Sequence, residues 1–314
     1  MNDNLFKGNL RQRSGARFLL YFPILLVFSL IGVFFSSFFM FSGNTGVKIA
    51  QGLSSILMFV APPIAYFYVT RKEHQMQAMG FRKVDKPWPL FILIGIMVMF
   101  ISLPVTNQLT TWNEGMKLPD VFQPIEDMLK VLEQTATDAT ERMLNVDTIG
   151  GLLFNLVVLA LIPAIGEEMT FRGTLQQALT RGMKSPHPAI ILTAAIFSFI
   201  HFQFYGFLPR MFLGILLGYM FYTSGSLWTC ILMHFLNNGS AVVIYYLNNK
   251  GVINVDVDHF GSTHDVWILV TSAMVTIALI TGSCLMKYFT QKKRKKQIST
   301  APCQPTHQSA SISI

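Results

Sequence analysis

Eight apolar segments limit what this chain can fold into more than any other feature of its sequence. Each is long enough, or nearly so, for a helix to cross a hydrocarbon core, which needs about 20 residues. The segments are residues 18–41, 48–70, 89–107, 149–171, 188–204, 207–224, 226–247 and 266–288. Only 13% of the residues are charged, whereas a soluble domain carries about 25%. The sequence therefore predicts an all-α integral membrane protein, a bundle of about eight transmembrane helices.

The basic residues indicate how this bundle is oriented. They cluster around Lys7, Arg71 and Lys287, which all lie on one side of the membrane if the N-terminus is cytoplasmic. We therefore expect both termini in the cytoplasm, with the plasma (cell) membrane as the location. The net charge of +8 comes from these flanking clusters, so we expect membrane lipids as surroundings and no nucleic-acid partner.

Two regions lie outside the predicted bundle. Residues 108–148 predict an outer amphipathic helix between helices 3 and 4, because apolar side chains recur there at helical spacing. Residues 291–314 run from a basic cluster into a Ser/Thr/Pro/Gln-rich tail, for which we expect disorder. The predicted divisions are 1–148 for three helices and the amphipathic segment, 149–250 for core helices 4–7, 251–290 for the last helix and 291–314 for the tail.

Six polar side chains interrupt predicted helices 4, 5 and 7. They are Glu167, Glu168, Arg172, His201, His234 and Asn238. Ionisable groups at bilayer depth cost about 2.5–3.5 kcal/mol on cautious scales, so they persist where they are paired, hydrated or used. In a helix, Glu168 and Arg172 are four positions apart and share a face, whereas Glu167 lies about 100° around the axis. We therefore expect Glu168 to hold Arg172 and Glu167 to remain available.

Depth arithmetic predicts that helix 4 is longer than its apolar run. Glu167 reaches the depth of His201, about 20 Å from the cytoplasmic interface, only if its helix continues to Thr180. This extension carries four more polar residues, which are Thr170, Thr174, Gln176 and Gln177. Because such side chains belong against water, we expect a hydrated cavity that opens to the cytoplasm.

A glutamate and a histidine in such a pocket can activate a water molecule for hydrolysis. They do so by taking its proton, or as ligands of a divalent metal that lowers the pKa of the water. Glu167, His201 and His234 form a ligand set that suits zinc. Metal-dependent and metal-free water activation both stay open. So does a purely structural reading, in which the carboxylates and Arg172 lock helices together and the histidines are hydrogen-bonded core residues.

Three motifs in order carry a family resemblance. Glu167-Glu168-x-x-x-Arg172, Phe197-x-x-x-His201 and His234-x-x-x-Asn238 resemble the signature of the CPBP intramembrane proteases. That family includes type II CAAX prenyl endopeptidases and bacteriocin-processing or immunity proteins. The resemblance implies an all-helical peptide hydrolase acting on a peptide or membrane-protein substrate. It also implies that Glu167 and His201 activate water, that His234 and Asn238 stabilise the oxyanion or bind metal, and that Glu168 and Arg172 support the site.

Two other functions stay open at this stage. The first is a non-catalytic membrane scaffold or bacteriocin immunity protein, in which the polar layer serves only for packing. The second is a proton-coupled or ion-coupled transporter, because carboxylate and histidine chains also mark proton paths. The sequence shows no evident inverted repeat, which disfavours the transporter.

Overall fold

The structure, a computed structural model, describes residues 18–39, 41–70, 75–81, 88–183, 185–257 and 260–300. Within these ranges the chain is helical and contains no strand. The helices are α1 Tyr21–Ser37, α2 Gly43–Thr70, α3 Gln75–Met79, α4 Trp88–Ile101, α5 Leu103–Glu114, α6 Gln123–Leu144, α7 Ile149–Gly182, α8 Pro186–Phe199, α9 Phe207–Ser224, α10 Leu227–Asn249 and α11 Val266–Thr300. The all-α prediction is confirmed for the described part of the chain.

Helices occupy all eight predicted spans, but their lengths differ. Five are long and apolar enough to cross a membrane: α2, α7, α9, α10 and α11. Helices α4 and α5 form a sixth span if they count as one helix, bent by 44°. Helices α1 and α8 are apolar but shorter, with 17 and 14 residues. This is a multi-pass membrane architecture, in which the count of eight and the orientation stay predictions.

Two prolines explain irregular stretches of the long helices. Pro104 lies in the first turn of α5, directly after the bend, because proline cannot donate the hydrogen bond that would continue α4. In α7, Pro163 follows a π-helical stretch, Leu156–Leu161, whose wider turn accommodates the missing donor. A second π-helical stretch, Met169–Gln176, begins directly after Glu168. Such segments in otherwise regular helices are frequent at functional sites.

Helix α7 lies at the centre of the bundle and contacts α2, α8, α9 and α10. Its extension beyond the apolar run is confirmed, because it ends at Gly182, just past the expected Thr180. Helices α8 and α9 pack along each other. Gly214 permits this approach, because a Cβ atom there would lie 2.9 Å from the Cβ of Ala194. This contact sets the distance between the helices on either side of His201.

The structure describes the amphipathic segment and the first part of the C-terminal segment, which both lie outside the predicted bundle. The amphipathic helix is present as α6, and its apolar residues Ile125, Met128 and Leu132 are exposed, as expected for a helix at a membrane surface. Helix α11 continues through the basic cluster to Thr300, and the disorder expected for the tail after this cluster stays a prediction. Lysine and arginine are good helix formers, so a charged run directly after a spanning helix can continue it. Residues 301–314 and the basic N-terminal cluster lie outside the described residues.

Candidate active site

A fully buried ion pair anchors the polar layer. The Arg172 guanidinium donates from Nη1 to Glu168 Oε1 at 2.6 Å, and neither side chain is exposed. Its Nη2 donates to the carbonyl of Gly214 on α9 at 3.0 Å. The expected contact between Glu168 and Arg172 is therefore present. This ion pair is stable in the buried layer because the charge of a buried arginine needs both an opposite charge and further acceptors.

The same carboxylate oxygen binds a second helix. His234 of α10 donates from Nδ1 to Glu168 Oε1 at 2.8 Å. The sequence did not predict this contact. Glu168 therefore orients His234 as well as Arg172, and it joins α7 to α10. Because the Nδ1 proton is committed to Glu168, only Nε2 of the ring can act on another group.

Glu167 has a different environment from its neighbour. Its side chain keeps 12% exposure, and Oε2 lies 3.8 Å from Nε2 of His234, which is beyond hydrogen-bond distance. Among the described residues, no direct ion pair joins Glu167 to His201. Glu168 is therefore held inside the bundle by its two partners, whereas Glu167 faces His234 and keeps a small exposed fraction.

His201 lies just beyond the last residue of α8 and is half-buried. Its Nδ1 donates to the carbonyl of Phe197 at 2.7 Å, which leaves Nε2 as the nitrogen with a lone pair. The ring orientation is therefore fixed by the helix turn that precedes it. This arrangement leaves an imidazole acceptor on a half-buried side chain.

Phe197 brings the three sequence motifs into contact. The Arg172 guanidinium lies over its ring at 5.0 Å from the centroid. The ring packs edge-on against His201 at 5.1 Å and against His234 at 6.0 Å between centroids. It is almost fully buried, with 1% exposure. The first residue of the Phe-x-x-x-His motif therefore has a physical role, because it spaces the two imidazoles and covers the arginine.

Asn238 completes the layer one helical turn after His234. Its Oδ1 accepts a hydrogen bond from Nδ2 of the adjacent Asn237 at 3.1 Å. Within the described residues, the amide nitrogen of Asn238 has no hydrogen-bond partner. The side chain is thus oriented by its neighbour while its two donors stay available.

Sequence reasoning missed the residues that hold the loop after His201. Asn113 of α5 donates to the carbonyl of Phe204 at 2.9 Å and accepts from the backbone N–H of Leu208 at 2.6 Å. Glu133 of α6 accepts from the backbone N–H of Tyr205 at 3.2 Å. Phe202 lies within this loop at φ +53°, a strained value for a residue other than glycine. No sequence signal marks Asn113 or Glu133, because both belong to segments far from the motifs.

Sequence reasoning also gave no role in the site to Arg210. In the structure it lies in the first turn of α9 and is half-buried. Glu167 and His201 are both within electrostatic range of its guanidinium. The available signal was its position, because Arg210 is an arginine inside a predicted span.

The expectation of a hydrated cavity lined by the extension of α7 is wrong. Thr170, Thr174 and Gln176 are buried rather than facing water. Thr170 donates to the carbonyl of Phe59, and Gln176 donates to the carbonyl of Gly218. These side chains are used to satisfy backbone carbonyls of neighbouring helices, which is the usual role of polar groups between membrane helices. Within the polar layer, His201, Arg210 and Asn238 are half-buried, in contrast to the buried Glu168, Arg172 and His234.

The described residues do not form a ready metal site. No group of three histidine, cysteine, aspartate or glutamate side chains within the described ranges is spaced to hold one ion. His234 illustrates the reason, because its Nδ1 is bound to Glu168 and its Nε2 faces Glu167 alone. The expectation of zinc at Glu167, His201 and His234 stays a prediction, and no chemical step is derived through a metal.

One comparison with known proteins found a match to the segment that contains this polar layer. Residues 149–240 match the family model described as type II CAAX prenyl endopeptidase Rce1-like. The matched segment contains all three motifs and extends from α7 into α10. No curated protein and no solved structure matches the chain. This match over residues 149–240 confirms the resemblance that the three motifs indicated.

Proposed function

We propose that this protein is an intramembrane endopeptidase that hydrolyses a peptide bond with water activated by Glu167 and His201. The observation that carries the proposal is the division between the two adjacent carboxylates. Glu168 is fully buried and bound to Arg172 and His234, whereas Glu167 keeps 12% side-chain exposure and makes no hydrogen bond with the residues that the structure describes. A purely structural ion-pair lock requires only Glu168, so Glu167 needs another explanation.

The first step is proton abstraction. Glu167 takes a proton from water as the water oxygen attacks the carbonyl carbon of the scissile bond. The lone pair on Nε2 of His201 accepts the other hydrogen of that water and orients it. A negatively charged oxygen then forms on the tetrahedral carbon. The proton on Glu167 passes to the leaving nitrogen as the carbon–nitrogen bond breaks, which yields a carboxylic acid and an amine.

His234 and Asn238 stabilise the negatively charged oxygen. For His234 to take this role its Nε2 must carry a proton, because Nδ1 already donates to Glu168. That Nε2–H and the amide nitrogen of Asn238, one helical turn further along α10, are then the two donors to this oxygen. Removing one preorganised donor from such a site costs about 10²–10³ in kcat. Glu168 supports the reaction by fixing His234 in this orientation.

An adjoining cavity supports a substrate with an apolar portion. It has a volume of about 440 Å³ and lies between α4, α5 and α10, with Phe100, Leu103 and Phe235 in its wall. Asn237 also lines this cavity and holds Asn238 by a hydrogen bond. A hydrophobic segment bound there would lie next to the polar layer.

The test is cleavage of an internally quenched library of hydrophobic peptides by the purified protein in proteoliposomes. We expect Glu167→Gln to reduce kcat by about 10²-fold or more, the usual contribution of a general base. Glu141→Gln, which changes an exposed glutamate of α6, is the matched control and should retain activity. Cleavage at the wild-type rate by folded Glu167→Gln protein would refute the role of Glu167 as the general base. If the wild type cleaves nothing while its cellular effect survives Glu167→Gln, the non-catalytic scaffold or immunity protein is the better reading.

A further inference from the structure

Arg210 is a second arginine beside the site, and it is half-buried and held differently from the fully buried Arg172. Its Nη2 donates to the side chain of Gln203 at 2.8 Å, and Nη1 lies 3.5 Å from the carbonyl of the same residue. In the described ranges Arg210 forms no ion pair and no other hydrogen bond. Since a guanidinium carries five donors, most of its hydrogen-bonding capacity is unused.

The carboxylates near Arg210 do not bind its unused donors. Glu133 and Glu167 are close enough to attract it, but neither forms an ion pair with it. A charged group removed from water in a membrane bundle is costly without a bound counter-ion. Arg172 has such a counter-ion in Glu168 and is fully buried. Arg210 belongs to the same polar layer but is only half-buried, so an anion can reach it.

The position of the guanidinium is built by the loop that carries His201. Gly206 lies beneath the guanidinium, and a Cβ atom there would be 2.7 Å from Nη2 of Arg210. Gln203 holds the other side and is two residues after His201. The planar group is therefore fixed relative to His201, in a space that a larger residue at position 206 would remove. A fixed guanidinium fork matches a carboxylate, which it can bind through two parallel hydrogen bonds.

We propose that Arg210 binds a carboxylate of the peptide substrate next to the bond that is cleaved. This inference rests on the proposed peptidase function and adds a substrate class to it. The carboxylate is either the C-terminal α-carboxylate of a short peptide or the side chain of an aspartate or glutamate. Both sources present the same planar anion to Arg210, and the experiment separates them.

The experiment compares three forms of one quenched hydrophobic peptide from the cleaved set. One ends in a free carboxylate, one in a carboxamide, and one in a carboxamide with a glutamate at the last position. We expect wild-type kcat/KM to be about 10- to 100-fold higher for an acidic form than for the neutral form, mainly through KM. Whichever acidic form shows the preference identifies the source of the carboxylate.

Substitution of Arg210 should abolish the preference. Arg210→Gln is expected to bring the ratio of acidic to neutral kcat/KM close to 1. Arg210→Lys retains the charge without the fork and should give an intermediate ratio. Gly206→Ala displaces the guanidinium while leaving Arg210 in place, so it should lower the ratio too. Arg142→Gln, which removes an exposed arginine of α6, is the matched control and should keep the wild-type ratio.

A second measurement separates failure of this inference from failure of the proposed function. Binding of the three peptides to Glu167→Gln protein, followed by fluorescence anisotropy, reports the carboxylate preference without turnover. The inference is overturned if Arg210→Gln keeps the wild-type ratio, if it lowers cleavage of all three forms equally, or if the wild type shows no preference. Cleavage by Glu167→Gln would overturn the peptidase mechanism instead. If Arg210→Gln does not fold, the ratios of acidic to neutral kcat/KM for Arg210→Lys and Gly206→Ala test the inference instead.

Discussion

Glu168 and His234 are joined by a 2.8 Å hydrogen bond, although 66 residues separate them in the chain. The same carboxylate oxygen accepts from Arg172 at 2.6 Å. One atom of α7 therefore fixes a guanidinium on its own helix and an imidazole on α10. Since all three side chains are buried, none can exchange its partner for water without a local opening of the bundle.

The first prediction concerns the stability of the two carboxylate variants. Glu168→Gln leaves the Arg172 charge buried without its counter-ion, a change that costs about 3–5 kcal/mol. Glu167→Gln removes a charge that makes no hydrogen bond with any described residue, so we expect a loss below about 1 kcal/mol. Thermal or denaturant unfolding in one detergent measures both. A larger loss for Glu167→Gln than for Glu168→Gln would contradict the assignment of Glu168 as the structural member.

The second prediction concerns the Phe197 ring. Phe197→Ala removes a buried aromatic ring that contacts Arg172, His201 and His234, so it should destabilise the protein by about 3–5 kcal/mol. Because the two imidazoles lose their spacer, activity per folded molecule should fall as well. Phe199→Ala is the matched control, since that ring is 67% exposed and lies two residues away. Equal effects of the two substitutions on unfolding would show that the Phe197 contacts contribute nothing specific.

Relationships within one helix could be predicted from the sequence, because residue spacing fixes them. The four-residue separation of Glu168 and Arg172 predicted their contact, and the polar extension predicted that α7 continues to the region of Thr180. Both are present. The three motifs also indicated the family whose model matches residues 149–240.

Relationships between helices could not be predicted, because spacing does not fix how each helix is rotated about its axis. Thr170 and Gln176 were expected to face water, yet neighbouring carbonyls satisfy them. The bond from His234 to Glu168 depends on the approach of α10 to α7, which no pattern in either segment encodes. Asn113 contacts the loop after His201 across more than 90 residues of chain, and it carries no motif.

The third prediction concerns the pH dependence of α6, which lies outside the spanning helices. Lys130 and then the backbone N–H of Leu118 donate to Glu126, and these bonds lower the pKa of its carboxyl group. A carboxyl whose pKa is lower in the folded state stabilises folding above the ordinary glutamate pKa. That contribution is lost as the pH falls through the lowered folded pKa. Acidification should therefore loosen the start of α6.

Hydrogen exchange of residues 118–130 between pH 7 and pH 3, corrected for intrinsic rates, measures this loosening. We expect the wild type to lose protection on acidification and Glu126→Gln to be less protected at pH 7 but nearly insensitive to pH. Asp127→Asn, which changes an exposed neighbour, should behave as the wild type. Identical pH profiles for wild type and Glu126→Gln would show that another group controls the docking of α6.

The fourth prediction concerns Asn113, which lies outside the segment matched by the family model. Its side chain is 1% exposed and bonds both ends of the loop that follows His201. Asn113→Ala leaves a buried carbonyl and a buried N–H without partners, which costs about 1–3 kcal/mol. Because the loop carries His201 and the strained Phe202, we expect faster hydrogen exchange at residues 202–208.

Asn113→Asp separates positioning of His201 from general destabilisation. It keeps an acceptor for the N–H of Leu208 but loses the donor to Phe204, so one end of the loop should be released and the other held. If the loop positions His201, kcat should fall in the order wild type, Asn113→Asp, Asn113→Ala, with KM nearly constant. Asn145→Ala, at an exposed asparagine, should change neither exchange nor kcat. A kcat that stays at the wild-type value while the loop exchanges faster would mean that Phe197 alone orients His201, through the 2.7 Å bond to its carbonyl.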